Sequence, residues 1–409
     1  MDSILFTPAQ IGPVTLRNRT IRSAAFEGMG RDNNPTPQLR DYHWSVAEGG
    51  VGMTTLAYAG ICRSALSFDT QLWLRPEIIT SLREITDGIH ARGAKASIQI
   101  GHCGNMTHIR TAGGIPVAPN SGFNLYSPTI CRRLRKDELL KLARQFGEAV
   151  NTARDSGFDC VEVHAGHGYL ISQFLSPYTN HRHDEFGGSL ENRMHFMHLC
   201  LDEVMKQAGN DMGVIVKTNM RDGFKGGLEI DDCLTVAKAI EEHGVHAMVL
   251  SGGFVSKAPM YVMRGEMPIH TMTHYMKQLW LKYGVRLAGR FMIRPEHFEP
   301  LYFLEDARRF RRELSMPLIY VGGVIDRQGA EKVMEEGFEF VQMGRALLNE
   351  PDFVNKMMLD ERHRCGCDHV NYCIARMYSR EMACHKHLNP DELTPGIRRE
   401  IEKIKERNV

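Results

Sequence analysis

Two histidines and a tyrosine follow an apolar run in the middle of the chain, in the segment VEVHAGHGYL that begins at Val161. The run ends at His164, and His167 and Tyr169 come directly after it. Two imidazole N–H groups can donate to one carbonyl oxygen, on which negative charge develops when a hydride adds to the β-carbon of an α,β-unsaturated carbonyl compound. Each such hydrogen bond contributes roughly 1.5–3 kcal/mol, so two could accelerate that step by about 10²- to 10⁴-fold. A phenol, with a usual pKa of about 10, is an adequate acid towards the carbanion-like α-carbon.

Two other interpretations of the histidine pair stay open from the residues alone. The His-x-x-His spacing occurs at metal sites, although no nearby carboxylate or third histidine stands at a recognised ligand spacing. The imidazoles could equally be structural, with ordinary hydrogen bonds inside a loop. The choice therefore depends on what stands at the ends of the other strands.

Composition narrows the class of protein. The 409 residues carry a formal net charge of +1, with 43% hydrophobic and 24% charged residues, so neither nucleic acid nor a membrane surface is expected as a partner. The N-terminal MDSILFTPAQ lacks the basic and apolar regions of a signal peptide, and no apolar stretch approaches the ~20 residues of a membrane span. Most of the 10 cysteines are scattered singly, which favours a reduced, cytoplasmic protein.

Short apolar runs alternate with stretches of helical periodicity, which predicts parallel strands joined by helical crossovers. Eight runs are found, the number that closes a (β/α)₈ TIM barrel. The sequence therefore predicts an α/β fold with such a barrel over residues 1–360 and a cysteine-containing extension over 361–409, packed on the barrel or trailing from it. The predicted strands cover residues 21–25, 51–57, 96–100, 160–164, 214–218, 247–251, 318–321 and 340–343.

Two segments between strands are distinctive. DELLKLARQFGEAVNTARDSG has one apolar stripe, with Asp137 as the expected N-cap and Gly157 at its end. The longest loop, between the sixth and seventh strands, includes the methionine-rich APMYVMRGEMPIHTMTHYM. Its methionines could form an adaptable lid over a ligand or simply belong to helices that cover the barrel.

Glycines follow the last two predicted strands, at the usual phosphate site of such barrels. Gly322 and Gly323 end the seventh strand in PLIYVGGV, and Gly344 and Arg345 end the eighth in FVQMGRAL. Each motif alone could be a turn, but together they predict a phosphate site.

Two polar residues at other strand ends suit a flavin ring. Gln99 offers a donor and an acceptor, as the imide edge of a flavin requires, and Lys217 offers the positive charge that a reduced, anionic flavin would favour. A loop hydrogen bond for Gln99, and an ion pair of Lys217 with Glu162 or Asp222, remain as alternatives.

The sequence resembles the Old Yellow Enzyme family of flavin-dependent oxidoreductases over about residues 5–355. The resemblance rests on LFTPAQIGPVTLRNRTIRSAAFEGMG, QIGHCG, HAGHGYLISQFLSPYTNHRHDEFGGSLENR, YVGGV and MGRALLNEPDF. It implies a (β/α)₈ barrel that holds FMN non-covalently, is reduced by NADH or NADPH, and passes the electrons to an electron-poor alkene. Homo-oligomers are also expected from the family.

The motifs carry family roles onto particular residues. His164 and His167 resemble the pair that anchors the substrate carbonyl, and Tyr169 resembles the proton donor. The remaining matches are the isoalloxazine contacts Gln99 and Lys217, the phosphate contacts Gly323, Gly344 and Arg345, and the backbone of Ala24 and Ala25 against the flavin.

The chain departs from the family pattern near the expected flavin edge. Ala25 replaces the usual proline, and Lys217 replaces an arginine found in many members, which keeps the charge but loses the planar fork. Phe26 and Tyr58 add aromatic bulk and are expected to contact the substrate. These departures concern substrate choice more than flavin binding.

The C-terminal CGCDHVNYCIARMYSREMACHKH resembles the cysteine segment of longer relatives, such as dienoyl-CoA reductases and trimethylamine dehydrogenase, which hold a [4Fe–4S] cluster. A cluster needs four thiolates, yet Val370 stands at the second ligand position and Cys365 is too close to Cys367 to replace it. The favoured interpretation is a vestigial, metal-free segment. Zinc bound with His369 or His385, or a damaged cluster, remain as alternatives, and the matching cysteines are Cys367, Cys373 and Cys384.

The resemblance predicts an FMN-dependent NAD(P)H oxidoreductase of ene-reductase type, acting on small enone-type substrates. One alternative is a flavin dehydrogenase that works oxidatively, for example on amines, and passes electrons to an external carrier. Another is a barrel that has lost its flavin and serves as a binding or assembly protein.

Overall fold

A closed barrel of eight parallel strands forms the centre of the computed structural model, which describes residues 3–125, 127–276, 278–377 and 379–408. Neighbouring strands pair in parallel register all the way around the barrel. This confirms the predicted TIM barrel. The strands are β1 (Thr20–Arg22), β2 (Met53–Gly60), β3 (Lys95–Gly101), β4 (Cys160–His164), β5 (Gly213–Asn219), β6 (Ala247–Ser251), β7 (Leu318–Val321) and β8 (Phe340–Met343).

One outer helix follows each strand, as the crossover connections of a parallel barrel require. These helices are α1 (Pro37–Glu48), α2 (Ile79–Ala91), α3 (Lys136–Asp155), α4 (Leu190–Ala208), α5 (Ile230–Glu242), α6 (Leu304–Glu313), α7 (Arg327–Glu335) and α8 (Phe353–Leu359).

Helix α3 shows how the apolar stripe and its cap produce the element. Phe146 and Val150 are fully buried on the stripe, and Gly157 leaves the helix with a φ of 81°. The predicted N-cap is wrong: the cap is Arg135, and Asp137 lies in the first turn. The reason is that the Glu138 carboxylate accepts the backbone N–H of Arg135 at 2.9 Å and so caps the helix two residues earlier.

An N-terminal hairpin closes the end of the barrel away from the strand carboxyl termini. Its strands, Ala9–Ile11 and Val14–Leu16, pair antiparallel. Ile11 and Leu16 are fully buried and pack in one cluster with inward residues of the barrel strands, such as Ile215. Burial of each such side chain stabilises the fold by about 1.5–3 kcal/mol. The end of the barrel that the hairpin covers is therefore a packed core, and a site is expected at the end where the strands have their carboxyl termini.

The long loop between β6 and α6 contains three helices, Pro259–Met263, Ile269–His274 and Leu279–Met292. Met260 and Met272 are buried and pack with Ile374 and Met382 of the C-terminal extension. The methionines of this loop therefore form part of a second apolar cluster between loop and extension. Some of them also line the cavity described below, so a lid role stays a prediction.

The C-terminal extension packs against this loop and against the barrel. It contains the helices Tyr372–Met377 and Pro395–Asn408. The Glu400 carboxylate accepts the backbone N–H groups of His270 and Thr271 at 2.8 and 2.7 Å. The domain division at residue 360 stays a prediction, and Tyr378 and Val409 of the predicted extension lie outside the described residues.

Shorter elements complete the described chain, and none of its helices is both long and apolar enough to cross a membrane. The short helices and turns are Ile4–Phe6, Arg63–Ala65, Pro76–Ile78, Ile109–Ala112, Leu170–Leu175, Arg345–Asn349, His385–His387 and Pro390–Glu392. A small sheet after β3 consists of Val117–Ala118, Gly122–Asn124 and Thr129–Arg133.

Candidate active site

One cavity of about 1960 Å³ lies at the carboxyl ends of the barrel strands. It brings together every residue that the sequence predicted for the cofactor, the substrate and catalysis. These residues come from seven strand ends and their loops, far apart in the chain. They are Ala24, Ala25, Phe26, Tyr58, Gln99, His164, His167, Tyr169, Lys217, Gly322, Gly323, Gly344 and Arg345.

His164, the last residue of β4, is buried with a neutral imidazole. Burial, aided by the nearby His167 and Lys217, lowers the pKa of His164 well below its usual range. Its Nδ1 accepts the backbone N–H of Gly166 at 3.3 Å. Because Nδ1 is the acceptor, the single proton of the neutral ring is on Nε2, which is then a hydrogen-bond donor.

His167 stands in a left-handed backbone conformation with a φ of 59°. Its backbone N–H donates to Oδ1 of Asn219 at 3.0 Å, and its Nε2 lies 2.7 Å from Oγ of Ser251. Burial, with the charge of Lys217 second, lowers the pKa of His167 to about 3. The ring is therefore neutral, and its centroid is 5.1 Å from that of His164.

Tyr169 completes a compact aromatic group around His164. Its ring centroid lies 4.7 Å from the His164 ring and 5.2 Å from the Tyr58 ring. Tyr58 is buried, and its hydroxyl donates to the backbone carbonyl of Ala65. Tyr58 thus lines the cavity with its hydroxyl already bonded, while Tyr169 lies beside the His164 imidazole.

Glu162 organises the polar floor of the cavity and is fully buried. Its Oε1 lies 2.8 Å from Nζ of Lys217 and accepts from Nε2 of Gln99 at 2.6 Å, and its Oε2 accepts from Nε2 of Gln342 at 2.7 Å. One carboxylate therefore fixes three side chains from β3, β5 and β8. The ion pair left open by the sequence forms with Glu162, whereas Asp222 is bonded elsewhere, to Ser176 and Asn219.

Gln342 is a residue that the sequence analysis missed. It lines the cavity and is 1% exposed, yet its Oε1 has no hydrogen-bond partner among the described residues. A buried amide oxygen without a partner is costly and commonly marks a ligand or water position. The only available signal in the sequence was its position two residues before Gly344. Side chains two residues apart on a strand point to the same side, so Gln342 faces the same side of the barrel as Gly344.

The segment after β1 is held by a buried ion pair beneath it. Nη1 of Arg22 lies 2.6 Å from Oε1 of Glu27, and Nη2 donates to the carbonyl of Ala25 at 2.9 Å. The backbone N–H of Met382, from the extension, donates to the carbonyl of Glu27 at 2.7 Å. This network ends β1 at Arg22, three residues before the predicted end, and lays residues 23–26 along the cavity wall.

The loops after β7 and β8 leave room for an anion. Gly322 and Gly323 have φ values of 130° and 73°, and a Cβ at Gly323 would lie 2.6 Å from the backbone nitrogen of Leu301. A Cβ at Gly344 would meet nothing closer than Ala25 at 4.0 Å. Nη1 of Arg345 donates to Oδ1 of Asn371 at 2.7 Å. These glycine backbones and one guanidinium suit a phosphate, and with the polar floor they fit FMN.

The cysteine segment shows no metal-ligand arrangement in the described part of the chain, where no group of three or more His, Cys, Asp or Glu is placed to hold an ion. Val370 is buried in an apolar cluster with Tyr372. The His369 ring stacks on Phe298 at 3.6 Å, and Nε2 of His385 lies 3.0 Å from Asp368. Both candidate zinc histidines therefore have other contacts.

Comparisons with known proteins agree with this architecture. The model of the NADH:flavin oxidoreductase / NADH oxidase family matches residues 4–292. The chain is 36% identical over 376 residues to the 4,4'-dithiodibutanoate disulfide reductase of Rhodococcus erythropolis, covering 92% of this chain and 93% of that protein. It is 26% identical over 412 residues to an NADH oxidase of Thermoanaerobacter brockii, covering 97% of this chain and 57% of that protein.

A solved 2-naphthoyl-CoA reductase complex has a similar fold. It superposes with a TM-score of 0.79 at 21% sequence identity and covers 98% of this chain and 58% of that one. At this identity the likeness concerns the fold. The chain thus spans a little over half the length of the NADH oxidase and of the naphthoyl-CoA reductase.

Proposed function

The chain belongs to the NADH:flavin oxidoreductase / NADH oxidase family, and we propose that it uses FMN and NAD(P)H to reduce the activated C=C bond of α,β-unsaturated carbonyl compounds. The family membership confirms the resemblance predicted from the motifs and makes the protein a flavin oxidoreductase of Old Yellow Enzyme type. The observation that carries the substrate proposal is the pair of neutral imidazoles with a phenol beside them in the cavity.

FMN, when bound, supplies the two-electron chemistry that links a nicotinamide to an organic acceptor. Gln99, Lys217 and the backbone of Ala24 and Ala25 would hold its ring system. Its phosphate would be held by Arg345 and by the glycine backbones of Gly322, Gly323 and Gly344.

The two histidines would hold the substrate carbonyl by different nitrogen atoms. His164 donates from Nε2, because Nδ1 accepts from Gly166. The Ser251 hydroxyl can donate to Nε2 of His167, which places the proton of that neutral ring on Nδ1 and directs a second donor to the carbonyl oxygen. Ser251 is therefore a positioning residue. Both donors strengthen as negative charge develops on the oxygen.

Tyr169 would supply the proton that the α-carbon needs. Its ring lies against His164 at 4.7 Å between centroids, so the phenol and the carbonyl anchor belong to one rigid group. The overall reaction is balanced: the alkene gains one hydride, which originates from NAD(P)H, and one proton from the phenol, which solvent then restores.

A second candidate function is the reduction of disulfides. It is favoured by the 36% identity, over nearly the full length of both chains, to a protein named for disulfide reductase activity. In that reaction NAD(P)H and one proton convert a disulfide into two thiols. The same imidazole N–H groups would stabilise the departing thiolate.

The oxidative alternative on amines has less support from the site. The charged side chains that line the cavity are mainly lysine and arginine, with Asp69 and Glu296 as the acidic ones among the described residues. A protonated amine would be repelled by this lining.

Product analysis under anaerobic conditions tests the proposal and separates it from disulfide reduction. The holoenzyme with NADPH should convert 2-cyclohexenone to cyclohexanone, one product molecule for each NADPH oxidised. If 4,4'-dithiodibutanoate is reduced to thiols while 2-cyclohexenone gives no product, the ene-reductase proposal is wrong and the second candidate replaces it.

The pH dependence of enone reduction should show no histidine titration. The pKa of His167 is lowered to about 3 and that of His164 well below its usual range, so both rings stay neutral as the pH falls from about 8 to about 5. We expect kcat/KM for 2-cyclohexenone, measured with the pre-reduced holoenzyme, to have no acid limb in this range. A sigmoidal change centred near pH 6.5 would contradict the assignment of neutral imidazoles.

A further inference from the structure

Exposed cations without ion-pair partners stand at the mouth of the cavity. Lys225 and Lys257 line it, are exposed, and form no ion pair within the described residues. Of the two lining carboxylates, Glu296 is paired with Arg264 at 3.6 Å, and Asp69 accepts the Thr111 hydroxyl at 2.6 Å. The Thr111 hydroxyl leaves the negative charge of Asp69 in place, so the two unpaired lysines outnumber one unpaired carboxylate and the mouth carries a net positive charge.

Arg294, on the long loop between β6 and α6, also lines the cavity, is exposed and forms no ion pair within the described residues. The two remaining lysine and arginine residues of the lining, Lys217 and Arg345, have a partner or a cofactor role. Lys217 is paired with Glu162 at 2.8 Å. Arg345 donates to Asn371 and stands at the proposed phosphate site. Lys217 and Arg345 are therefore engaged inside the cavity and do not explain the charge at its mouth. The proposed FMN contacts also do not involve Lys225 or Lys257.

An aromatic cluster places these lysines beside His167. Phe254 forms a bridge with the backbone of His167, and its ring lies 5.7 Å from Phe224 and 6.0 Å from Tyr178. Nζ of Lys257 lies 5.6 Å from the centroid of the Tyr178 ring. The loops that carry the cations are thereby fixed to the loop that carries the carbonyl anchor.

Both lysines lie within three residues of this cluster along the chain. Lys225 is the residue after Phe224, and the backbone N–H of Lys257 donates to the carbonyl of Phe254 at 2.9 Å. Their backbones are held in place while the ammonium groups stay in solvent. This arrangement suits a substrate whose reacting group lies in the cavity and whose polar end reaches the ammonium groups at the mouth.

We propose that the cavity selects substrates bearing a carboxylate, which Lys225 and Lys257 bind at the mouth while His164 and His167 hold the reacting group. The inference rests on the proposed function, because it needs the histidine pair to anchor the same molecule. A lysine can bind a carboxylate or a phosphate, so the 2'-phosphate of NADPH is the competing occupant. The position of the lysines beside the carbonyl anchor favours the substrate carboxylate.

The test compares the variant Lys225→Gln/Lys257→Gln with the parent holoenzyme. The substrates to be reduced are 4-oxopent-2-enoate and its methyl ester. The saturated compounds 4-oxopentanoate and 4-oxopentanamide serve as binding probes, and their binding is measured by the change in flavin absorbance. An exposed ion pair contributes up to about fivefold in binding. We therefore expect the acid-to-ester ratio of kcat/KM to fall about 5- to 10-fold, and the Kd of 4-oxopentanoate relative to the amide to rise as much.

Controls separate this inference from the proposed function. Lys403→Gln, at an exposed lysine of the C-terminal helix away from the cavity, should leave both ratios unchanged. In the parent protein, added salt should weaken the preference for the acid, since exposed charges are screened. If no enone is reduced but the Kd ratio still shifts in the double variant, the proposed function fails and carboxylate binding stands.

Two outcomes would overturn the inference. One is that both ratios stay unchanged in the double variant. The other is that the KM for NADPH rises relative to that for NADH while the acid-to-ester ratio stays constant, which would assign the lysines to the nucleotide phosphate.

Discussion

Replacing His164 and His167 together with alanine should lower kcat/KM for 2-cyclohexenone by about 10²- to 10⁴-fold. The loss is large because the two imidazole N–H groups would be the donors to the oxygen on which charge develops, each contributing roughly 1.5–3 kcal/mol in a buried site. The rings stand 5.1 Å apart between centroids, so one carbonyl oxygen can contact both. The measurement is steady-state enone reduction with NADPH under anaerobic conditions.

The FMN content of the double variant distinguishes a chemical effect from a collapsed site. FMN should remain bound, because neither imidazole belongs to the polar floor or to the phosphate end. His297→Ala, at an exposed histidine outside the cavity, serves as the control and should keep parental activity. Unchanged enone reduction in the double variant, with FMN bound, would contradict the assignment of the two histidines as donors to the substrate carbonyl.

Glu162→Gln should lower the free energy of unfolding by about 3–5 kcal/mol, because it leaves the ammonium of Lys217 buried without a counter-charge. Glu162 and the Lys217 side chain are 0% and 4% exposed, with 2.8 Å between the charged atoms. The same carboxylate holds Gln99 and Gln342. The variant should therefore also bind FMN more weakly. Urea unfolding and an FMN titration measure the two effects.

Two further variants make the second prediction specific. Glu162→Gln/Lys217→Met should recover much of the lost stability, since it removes the unpaired charge as well. Glu313→Gln breaks the exposed pair with Lys238, whose side chains are 49% and 50% exposed, and should cost about 1 kcal/mol or less. If Glu162→Gln costs no more than Glu313→Gln, the buried pair does not organise the floor of the cavity.

The barrel could be predicted from the sequence because its strands are buried on both faces and so appear as short continuous apolar runs. The run at residues 160–164 coincides with β4, and that at 247–251 with β6. The predicted end of β1 at residue 25 lies three residues too late. The true end depends on the Arg22–Glu27 ion pair, which no periodicity in the sequence reveals.

The site could be predicted where a motif is local or where a residue stands at the end of a recognisable strand. His164, His167 and Tyr169 lie in one short segment and are found together in the cavity. Gln342, by contrast, reaches Glu162 across 180 positions of the sequence, and such a contact between strands cannot be read from spacing. Lys225 and Lys257 were missed for the same reason, since their place beside His167 depends on the packing of aromatic rings from separate loops.

The visible absorption spectrum of the purified protein, taken without oxygen before and after NADPH and then after 2-cyclohexenone, tests the central claim most directly. We predict two resolved flavin bands that bleach with NADPH and return when the enone is added. Bands that bleach with NADPH but do not return with the enone would contradict the proposed substrate class. A colourless protein that binds no added FMN would contradict the flavin site itself.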